Sequence, residues 1–566
     1  MLANSYNIPK KNTMEYLILK QKINNQKTNK MFYHPFLKKN NSSVAPKKDD
    51  DKKSISAITN YDDIILDDEN LDNNMNNCTS NIIIDKTNQE EFEDEITVAM
   101  CSQPCREPQM LRVVQQLLPQ CTRICICLNN YKSVPKKLLG NKKIICVLAG
   151  EGQEVPDLGC MNKMLFCGNY PGYYATVDDD IDYPENYIYE LKQKVDHYNR
   201  KCICSLHGHF YKNIKNGKIN FNYRKVYNFY DKYDLDVFCH RVGMGVSMFY
   251  PLEIGLDKSI YLEKPKNFGD DEVTAIWAQK NNIPLVRIAT TNLQLLEIKE
   301  YSLNNGLCRD KNSLKNRKEY LESYTHWKLN TVTFNNKICV ISAGTKNLQF
   351  QYNITNKNKR DYCSIYGYDY KFIELDTTYK LSYHSRKKIL SDIIKTNKYN
   401  YVMWIDCDAW FNTFEISLDS VINTFMKDKS LLLSRDHGVI NEPKYYHSCY
   451  INSGVLLFKC DKKALKIIDL WDNPSEQLKK WMPLYTTLND QPFLSILCIA
   501  DSFTRKYTAV VDPQYFNTFA KFGFTKRNFI LHVPGHKEIE YRDRYSKEFF
   551  DLYKKSKELN EIGFSC

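Results

Sequence analysis

The chain of 566 residues contains no run of about 18 apolar residues, the length that a membrane-spanning helix requires. Its first residues also lack the apolar core of a secretory signal peptide. None of its 20 cysteines forms a Cys-x-x-Cys pair, and spacings such as Cys125 with Cys127 match no zinc site. These absences predict a protein without a transmembrane segment, in a cytoplasmic and reducing compartment, with free thiols.

A nucleic-acid binder is not indicated either, because the chain has no Lys/Arg-rich helix, no zinc-finger spacing and no RNA-binding signature. Its formal net charge of +12 is unevenly distributed. Residues 1–48 contain ten lysines and one glutamate, whereas residues 49–95 contain fifteen acidic residues and three lysines. We therefore predict a disordered, charge-blocked tail over residues 1–94, followed by a mildly basic folded part that suits anionic small-molecule substrates.

After residue 94 the sequence alternates between apolar strands and amphipathic helices. The stretches EITVAM, TRICICLNN and KKIICVLAG indicate strands of a first unit, and NKICVISAG opens a second unit. This alternation predicts an α/β fold with mostly parallel sheets, arranged as two tandem domains over residues 95–325 and 326–566. Ligands of such sheets bind beyond the carboxyl ends of the strands.

Clustered carboxylates follow one apolar strand in each predicted domain. Asp178, Asp179 and Asp180 follow GYYATV, and Asp406 and Asp408 follow YNYVMWI. Neighbouring carboxylates repel one another, so each cluster requires a positive charge. Oxygen ligands at positions i and i+2 can hold one Mg²⁺ or Mn²⁺, whose open positions accept the phosphate oxygens of a nucleotide. The alternative is a solvated acidic loop.

The first predicted domain resembles family 2-type glycosyltransferases of the GT-A fold, which are inverting enzymes. The elements that carry this resemblance are SQPCRE, DLGCMNKML, VDDDIDYPENYI, GMGVSMFYP and FGDDEVTAIWAQKNNIP. The resemblance implies metal ligands at Asp178 and Asp180, and contacts to the nucleotide at Ser102, Pro104, Arg106, Lys163, Asp178 and Asp179. It also implies a general base in the pair Asp270–Asp271, of which Asp271 is preferred. The alternative for this pair is a favourable charge at a helix N-terminus.

The second predicted domain resembles families 8 and 34, retaining GT-A enzymes that include glycogenin-like and galactosyl- or xylosyltransferase proteins. The matching elements are SRKKIL, MWIDCDAWF, YINSGVLLF, NDQPFLSIL, DPQYFNTF and LHVPGHK. They imply metal ligands at Asp406, Asp408 and His532, and donor contacts at Arg386, Lys387, Asp406, Asn452, Ser453, Gly454 and Gly535. Asp490 and Gln491 match the catalytic pair beneath the anomeric carbon. Lys537 lies one position too early for the family's spacing, and the alternative for His532 is a core histidine.

These resemblances imply a bifunctional glycosyltransferase that uses Mn²⁺ or Mg²⁺, a nucleotide-sugar of the UDP-sugar type, and a glycan or protein acceptor. Three alternatives remain: one active domain beside a degenerate binding module, a metal-dependent phosphoesterase or nuclease, and a glycan-binding protein without turnover. The chain is rich in Lys, Asn, Ile and Tyr, the residues that an AT-rich genome encodes. This composition and the tandem arrangement resemble those of proteins from large DNA viruses that glycosylate their own products in the host cytoplasm.

Overall fold

The computed structural model describes residues 95–266, 268–290, 293, 295–297, 311–375, 379–436, 450–476, 490–534 and 542–560. These residues belong to one compact unit, Asn88–Cys566. The prediction of a disordered tail over residues 1–94 lies outside the described residues. Along the described chain, strands and helices alternate as the sequence predicts, and the α/β fold class is confirmed.

The first half of the chain, residues 95–325, begins with a strand and contains thirteen described strands and six described α-helices. Its strands are β1 (Ile96–Ser102), β2 (Arg123–Asn129), β3 (Ile144–Ala149), β4 (Tyr173–Val177), β5 (Ile181–Asp182), β6 (Ile203–Ser205), β7 (Gly208–Tyr211), β8 (Arg224–Tyr227), β9 (Val237–Cys239), β10 (Arg241–Val242), β11 (Val246–Phe249), β12 (Leu285–Arg287) and β13 (Leu296–Glu297). Its helices are α1 (Glu107–Leu117), α2 (Tyr187–His197), α3 (Pro251–Ile254), α4 (Ser259–Leu262), α5 (Asp270–Lys280) and α6 (Lys311–Ser323).

The second half of the chain, residues 326–566, shows the same alternation of strands and helices. Its described strands are β14 (Ile338–Thr345), β15 (Asp369–Leu375), β16 (Tyr401–Ile405), β17 (Ala409–Phe411), β18 (Leu431–Arg435), β19 (Ile451–Lys459), β20 (Thr508–Val511), β21 (Thr518–Phe519) and β22 (Ile530–His532). Its described helices are α7 (Gln349–Tyr366), α8 (Tyr379–Lys395), α9 (Leu418–Phe425), α10 (Lys462–Asp472), α11 (Asp490–Ala500), α12 (Ser502–Tyr507), α13 (Pro513–Phe516) and α14 (Arg542–Asn560).

The two main sheets share a local strand order around their acidic motifs. The first sheet has the order β3-β2-β1-β4-β11-β6-β12-β9, and the second has the order β15-β14-β16-β19-β18-β20. β4 lies between the parallel strand β1 and the antiparallel strand β11. In the same way, β16 lies between the parallel strand β14 and the antiparallel strand β19. Both acidic motifs therefore leave their sheets at corresponding positions.

Helix ends in the second half follow local sequence signals. Ser417 caps α9 by accepting a hydrogen bond from the N–H of Ser420, and Asp461 caps α10 in the same way with Ala464. α7 ends where Gly367 adopts a φ of 69°, a left-handed conformation that costs glycine little because it has no Cβ. These signals fix where helices begin and end, and packing of their apolar faces supplies most of their stability.

The two halves share a continuous apolar core and a buried polar contact. The ring of Phe238 on β9 packs against the rings of Phe334 and Tyr366. Beside it, the Nζ of Lys225 donates a hydrogen bond to Oε1 of Glu415 at 2.8 Å, and both side chains are 3% exposed. Burial lowers the pKa of Lys225, against the opposing effect of Glu415. Glu415 therefore stabilises the charged form of this buried lysine.

No helix in the described ranges is long and apolar enough to cross a membrane. Every cysteine within those ranges is a free thiol.

Candidate functional site

The carboxylates of the second half lie on the turn that follows β16. This turn is closed by a hydrogen bond from the N–H of Ala409 to the carbonyl oxygen of Asp406 (3.1 Å). The N–H of Asp406 donates to the carbonyl oxygen of Gly454 on β19 (2.8 Å). The backbone reverses between Asp406 and Asp408, which allows two side chains at positions i and i+2 to approach one ligand.

His532 reaches this turn through the antiparallel pairing of β17 with β22, in which Ala409 is opposite His532. Its Nε2 lies 3.3 Å from Oδ1 of Asp408 and 3.9 Å from Oδ2 of Asp406. One ligand atom from each of these three residues lies within 4.8 Å of the other two. Its Nδ1 lies 3.2 Å from Oδ1 of Asn517, which favours a proton on Nδ1 and a lone pair on Nε2.

The electrostatics of this group favour an added cation. Burial raises the pKa of Asp406, although Arg386 and His532 oppose the shift. Burial lowers the pKa of His532, but Asp408 and Asp406 outweigh it, and the net pKa lies above the ordinary value. Two carboxylates and one imidazole form a donor set of the kind that holds Mn²⁺, and carboxylates also hold Mg²⁺. The residues present therefore fit a divalent cation.

Arg386 connects this turn to the residues predicted to contact the donor sugar. Its guanidinium donates to the carbonyl oxygen of Ser453 (2.6 Å) and through Nε to Oδ2 of Asp490 (3.2 Å), and lies 3.6 Å from Oδ1 of Asp406. Arg386 is 3% exposed, and Asp490 is 2% exposed. Lys387 is directed elsewhere, since its Nζ pairs with Asp472 at 2.7 Å.

A hydrogen-bonded network joins Arg386's neighbours to His532. Nδ2 of Asn452 and Nε2 of Gln491 both donate to Oδ2 of Asp436, at 3.0 and 3.2 Å. Nδ2 of Asn517 donates to Oδ1 of Asn452 at 2.6 Å. Neither Asp436 nor Asn517 was predicted from the sequence as a site residue. Asp436 follows the buried strand β18 just as Asp406 follows β16, and that signal could have identified it.

Gly454 provides the space that His532 occupies. A Cβ at this position would lie 2.3 Å from Cε1 of His532 and 2.9 Å from Oδ2 of Asp406. We expect Gly454→Ala to displace the imidazole and to weaken Mn²⁺ binding by roughly tenfold or more, as losses of ligand orientation do. Titration with Mn²⁺ would measure this, and melting in EDTA would check the fold. Unchanged affinity would contradict the assignment of His532 as a ligand.

The first-half carboxylates face cations of the chain itself. Pro104 begins the short turn Pro104–Arg106 after β1, which directs Arg106 toward the acidic motif. Asp179 accepts hydrogen bonds from Oγ of Ser102 and NH1 of Arg106, both at 2.7 Å. The same guanidinium lies 3.2 Å from Oδ2 of Asp180. Burial and the neighbouring carboxylates raise the pKa of Asp180 to about 6, although Arg106 opposes the shift.

Lys163 joins the acidic motif to the head of α5. Its side chain is 3% exposed, and its Nζ forms an ion pair with Asp178 and lies 3.2 Å from Oδ2 of Asp270. Burial lowers the pKa of Lys163, but the two carboxylates outweigh this effect and the pKa lies well above the ordinary value. Lys163 is therefore a fully charged group between the predicted nucleotide site and the predicted base.

Asp271 lies in the first turn of α5, where it is partly exposed. Its Oδ1 accepts a hydrogen bond from the N–H of Met244 (2.7 Å), and its Oδ2 lies 3.6 Å from NH2 of Arg241. NH1 of Arg241 pairs in turn with Oε1 of Glu272 at 2.6 Å, a contact that was not predicted from the sequence. Burial and the adjacent Asp270 raise the pKa of Asp271 to about 7.

The two acidic motifs share one backbone feature. The N–H of Asp178 donates to the carbonyl oxygen of Gly245 (3.0 Å), as the N–H of Asp406 does to Gly454. A Cβ on Gly245 would lie 1.8 Å from Oδ2 of Asp178. Each motif thus has its first carboxylate packed directly on a glycine of the neighbouring antiparallel segment. Gly535, another predicted donor contact, lies outside the described residues.

Among the comparisons with known proteins, the match to a family model lies in the second half of the chain. Residues 332–540 match the galactosyl transferase GMA12/MNN10 family, a match that spans less than half of the chain. No curated protein matches the chain at a significant level.

Several solved glycosyltransferases are similar over part of the chain. One is a glycosyltransferase involved in the glycosylation of the major capsid of PBCV-1, with 18% identity, coverage of 38% of this chain and 99% of that chain, and a TM-score of 0.29. Another is galactosyltransferase LgtC with donor and acceptor sugar analogues, with 14% identity, coverage of 40% and 98%, and a TM-score of 0.25.

A third is GlyE of Streptococcus pneumoniae TIGR4, with 16% identity, coverage of 41% and 67%, and a TM-score of 0.25. TM-scores this low support no conclusion about fold or activity. The family match over residues 332–540 confirms the predicted enzyme class, a glycosyltransferase.

Proposed function

We propose that residues 326–566 form a metal-dependent glycosyltransferase that transfers a sugar from a nucleotide-sugar, of the UDP-sugar type, to a glycan or protein acceptor. The observation that carries this proposal is the convergence of Asp406, Asp408 and His532 within 4.8 Å. Mn²⁺ or Mg²⁺ held by these residues would neutralise the negative charge that develops on the leaving diphosphate.

The surrounding residues would orient the donor sugar. Asn452 and Ser453 on β19 present polar groups beside the turn, and Arg386 fixes Ser453 through its carbonyl oxygen. Asp490 is buried against Arg386, whereas Gln491 is partly exposed and accepts a hydrogen bond from the N–H of Ser453 (3.1 Å). We therefore assign Gln491 to the face of the sugar ring, where its carbonyl dipole would stabilise positive charge at the anomeric carbon. Asp490 would keep Arg386 in place.

For the first half we propose a second glycosyltransferase site, of the inverting type. Its support is the shared strand order and the matching contacts of Asp178 with Gly245 and Asp406 with Gly454. Lys163 would bind the diphosphate. Asp271 would accept the proton of the acceptor hydroxyl as that oxygen attacks the anomeric carbon.

The second candidate for the first half is a binding module without turnover. It is favoured by the ion pairs that already neutralise the acidic motif, those of Asp178 with Lys163 and of Asp179 and Asp180 with Arg106. These pairs make a metal at Asp178 and Asp180 less necessary than the sequence resemblance implies.

One experiment tests the general proposal. The purified chain would be incubated with Mn²⁺, a panel of nucleotide-sugars and glycan acceptors, and release of the nucleoside diphosphate would be measured. We expect release that depends on Mn²⁺ and on one class of donor. Absence of release with every donor and acceptor, despite measurable Mn²⁺ binding, would argue for a binding protein.

Asp271→Asn separates the two candidates for the first half. If the first half is an inverting enzyme, this change should slow one linkage by about 10²–10⁴-fold, the usual cost of losing a general base. The wild-type rate for that linkage should rise as the pH passes through about 7, since Asp271 must be deprotonated to accept a proton.

Proton NMR of the products would assign each linkage. The linkage that depends on Asp271 should have inverted anomeric configuration, and the one that depends on Gln491 should have retained it. Gln491→Ala is the matched variant in the second half and should spare the first linkage. If Asp271→Asn changes no product and no rate, the first half is a binding module.

A further inference from the structure

A buried lysine lies directly behind the carboxylate turn of the second half. Lys359 on α7 is completely buried. Its ammonium donates to the carbonyl oxygen of Asp406 (2.9 Å), to Oγ of Ser342 on β14 (3.0 Å) and to Oγ1 of Thr355 (3.2 Å). An ammonium group has three N–H donors, and each has an acceptor here.

Thr355 extends the same attachment by one residue. Its Oγ1 donates to the carbonyl oxygen of Cys407 at 2.5 Å. Thr355 and Lys359 lie at positions i and i+4 of α7, and therefore on one face of that helix. Two successive carbonyl oxygens of the turn, those of Asp406 and Cys407, are thus held by one face of α7.

We propose that Lys359, with Thr355, is a positioning residue that holds the Asp406–Asp408 turn in the conformation that binds a divalent cation. This inference rests on the proposed metal site. Burial of an ammonium is costly unless it is well paired. A neutral donor could hold a carbonyl oxygen without that cost, so hydrogen bonding alone does not explain a lysine at this position. The charge has a use at this place because it offsets the repulsion between Asp406 and Asp408 when no metal is bound.

A positioning role and a purely electrostatic role of Lys359 predict opposite changes in metal affinity when the lysine is replaced. A cation close to a metal site would, through charge alone, repel the metal, so its removal would tighten binding. A positioning role predicts the opposite, because the carboxylates lose their arrangement when the turn is released. Loss of groups that orient metal ligands typically weakens metal affinity by about 10–100-fold.

The test measures Mn²⁺ affinity of the full chain by the electron paramagnetic resonance signal of free Mn²⁺. Lys359→Met keeps an unbranched side chain that is one heavy atom shorter and removes the charge, and we expect the Kd to rise about 10–100-fold. The matched control is Lys357→Met on the same helix, where the side chain is 52% exposed and the Kd should not change. Equal or tighter binding by Lys359→Met would overturn the inference.

A milder series covers the case in which Lys359→Met does not fold. Thr355→Val replaces the hydroxyl with a methyl group and should raise the Kd several-fold. Thr355→Ser keeps the hydroxyl and should leave the Kd at the wild-type value. An unchanged Kd in Thr355→Val would then overturn the inference. If the wild-type chain itself binds no Mn²⁺, the proposed metal site fails, an outcome that the wild-type titration reveals before any variant is compared.

Discussion

Asp408→Asn should abolish metal-dependent transfer by the second half while the fold remains intact. Oδ1 of Asp408 lies 3.3 Å from Nε2 of His532, closer than the carboxylate of Asp406 at 3.9 Å. The neutral amide would remove both a ligand and half of the negative charge that attracts the cation. Loss of a metal ion's charge stabilisation corresponds to several kcal/mol, or roughly 10³-fold or more in rate.

The stability of the metal-free variant distinguishes a functional cluster from a structural one. Removal of one carboxylate relieves repulsion with Asp406, so the melting temperature in EDTA should stay level or rise slightly. Asp392→Asn, a change of an exposed carboxylate that pairs with Lys388 on α8, serves as the control for both activity and stability. If Asp408→Asn unfolds in EDTA while the control does not, the cluster is structural and the metal proposal is wrong.

Glu415→Gln should produce the largest loss of stability among the changes considered, because it leaves Lys225 buried without its carboxylate. Glu415 also accepts a hydrogen bond from Oη of Tyr227 at 2.7 Å, so its loss affects two partners in the first half. Removal of one member of a buried ion pair typically costs about 3–5 kcal/mol. The exposed pair of Glu319 with Lys315 is the control, and Glu319→Gln should change stability by about 0–1 kcal/mol.

The double variant Lys225→Met, Glu415→Gln tests the physical reason. With both charges removed, no uncompensated ion remains, and stability should recover most of the loss seen in Glu415→Gln. Thermal melting with hydrogen exchange would locate the effect at β8 and the segment before α9. If the double variant is as unstable as Glu415→Gln, the loss comes from packing and not from a buried charge.

The ion pair of Lys225 with Glu415 also affects how the stability of the protein depends on pH. Burial raises the pKa of Glu415, but Lys225 outweighs this effect and the net pKa lies below the ordinary value of 4.5. A carboxyl group whose pKa is lower in the folded state contributes stability above its unfolded pKa. That contribution is lost as the pH falls below 4.5 and through the folded pKa, and Glu415→Gln should remove this part of the acid sensitivity.

The alternation of strands and helices was predictable from the sequence, because the apolar residues of a buried strand follow one another along the chain. Stretches such as YVMWI and YYATV are mostly apolar, and each forms a central strand of its sheet. The positions of Asp406 and Asp178 at strand ends follow from the same local pattern. For this reason the sequence placed both acidic motifs at the carboxyl edges of the sheets, where the structure has them.

The partner of each motif was decided by tertiary structure. Asp406 and Asp408 face His532 because β17 pairs with β22 in one register, and no local pattern encodes that pairing. Asp178 faces Lys163 instead, and this ion pair depends on how the short helical turn Gly159–Met164 packs against β1, β2 and β4.

The sequence by itself determined the fold class, the strand ends that carry carboxylates and the residue types able to bind a nucleotide-sugar. Tertiary structure decided which charges those carboxylates meet, placed Lys359 behind the turn, and buried Lys225 against Glu415 between the halves. The physical reason is that hydrophobic periodicity is a local property of the chain, whereas a buried charge is stable only beside a partner that folding brings from a distant segment.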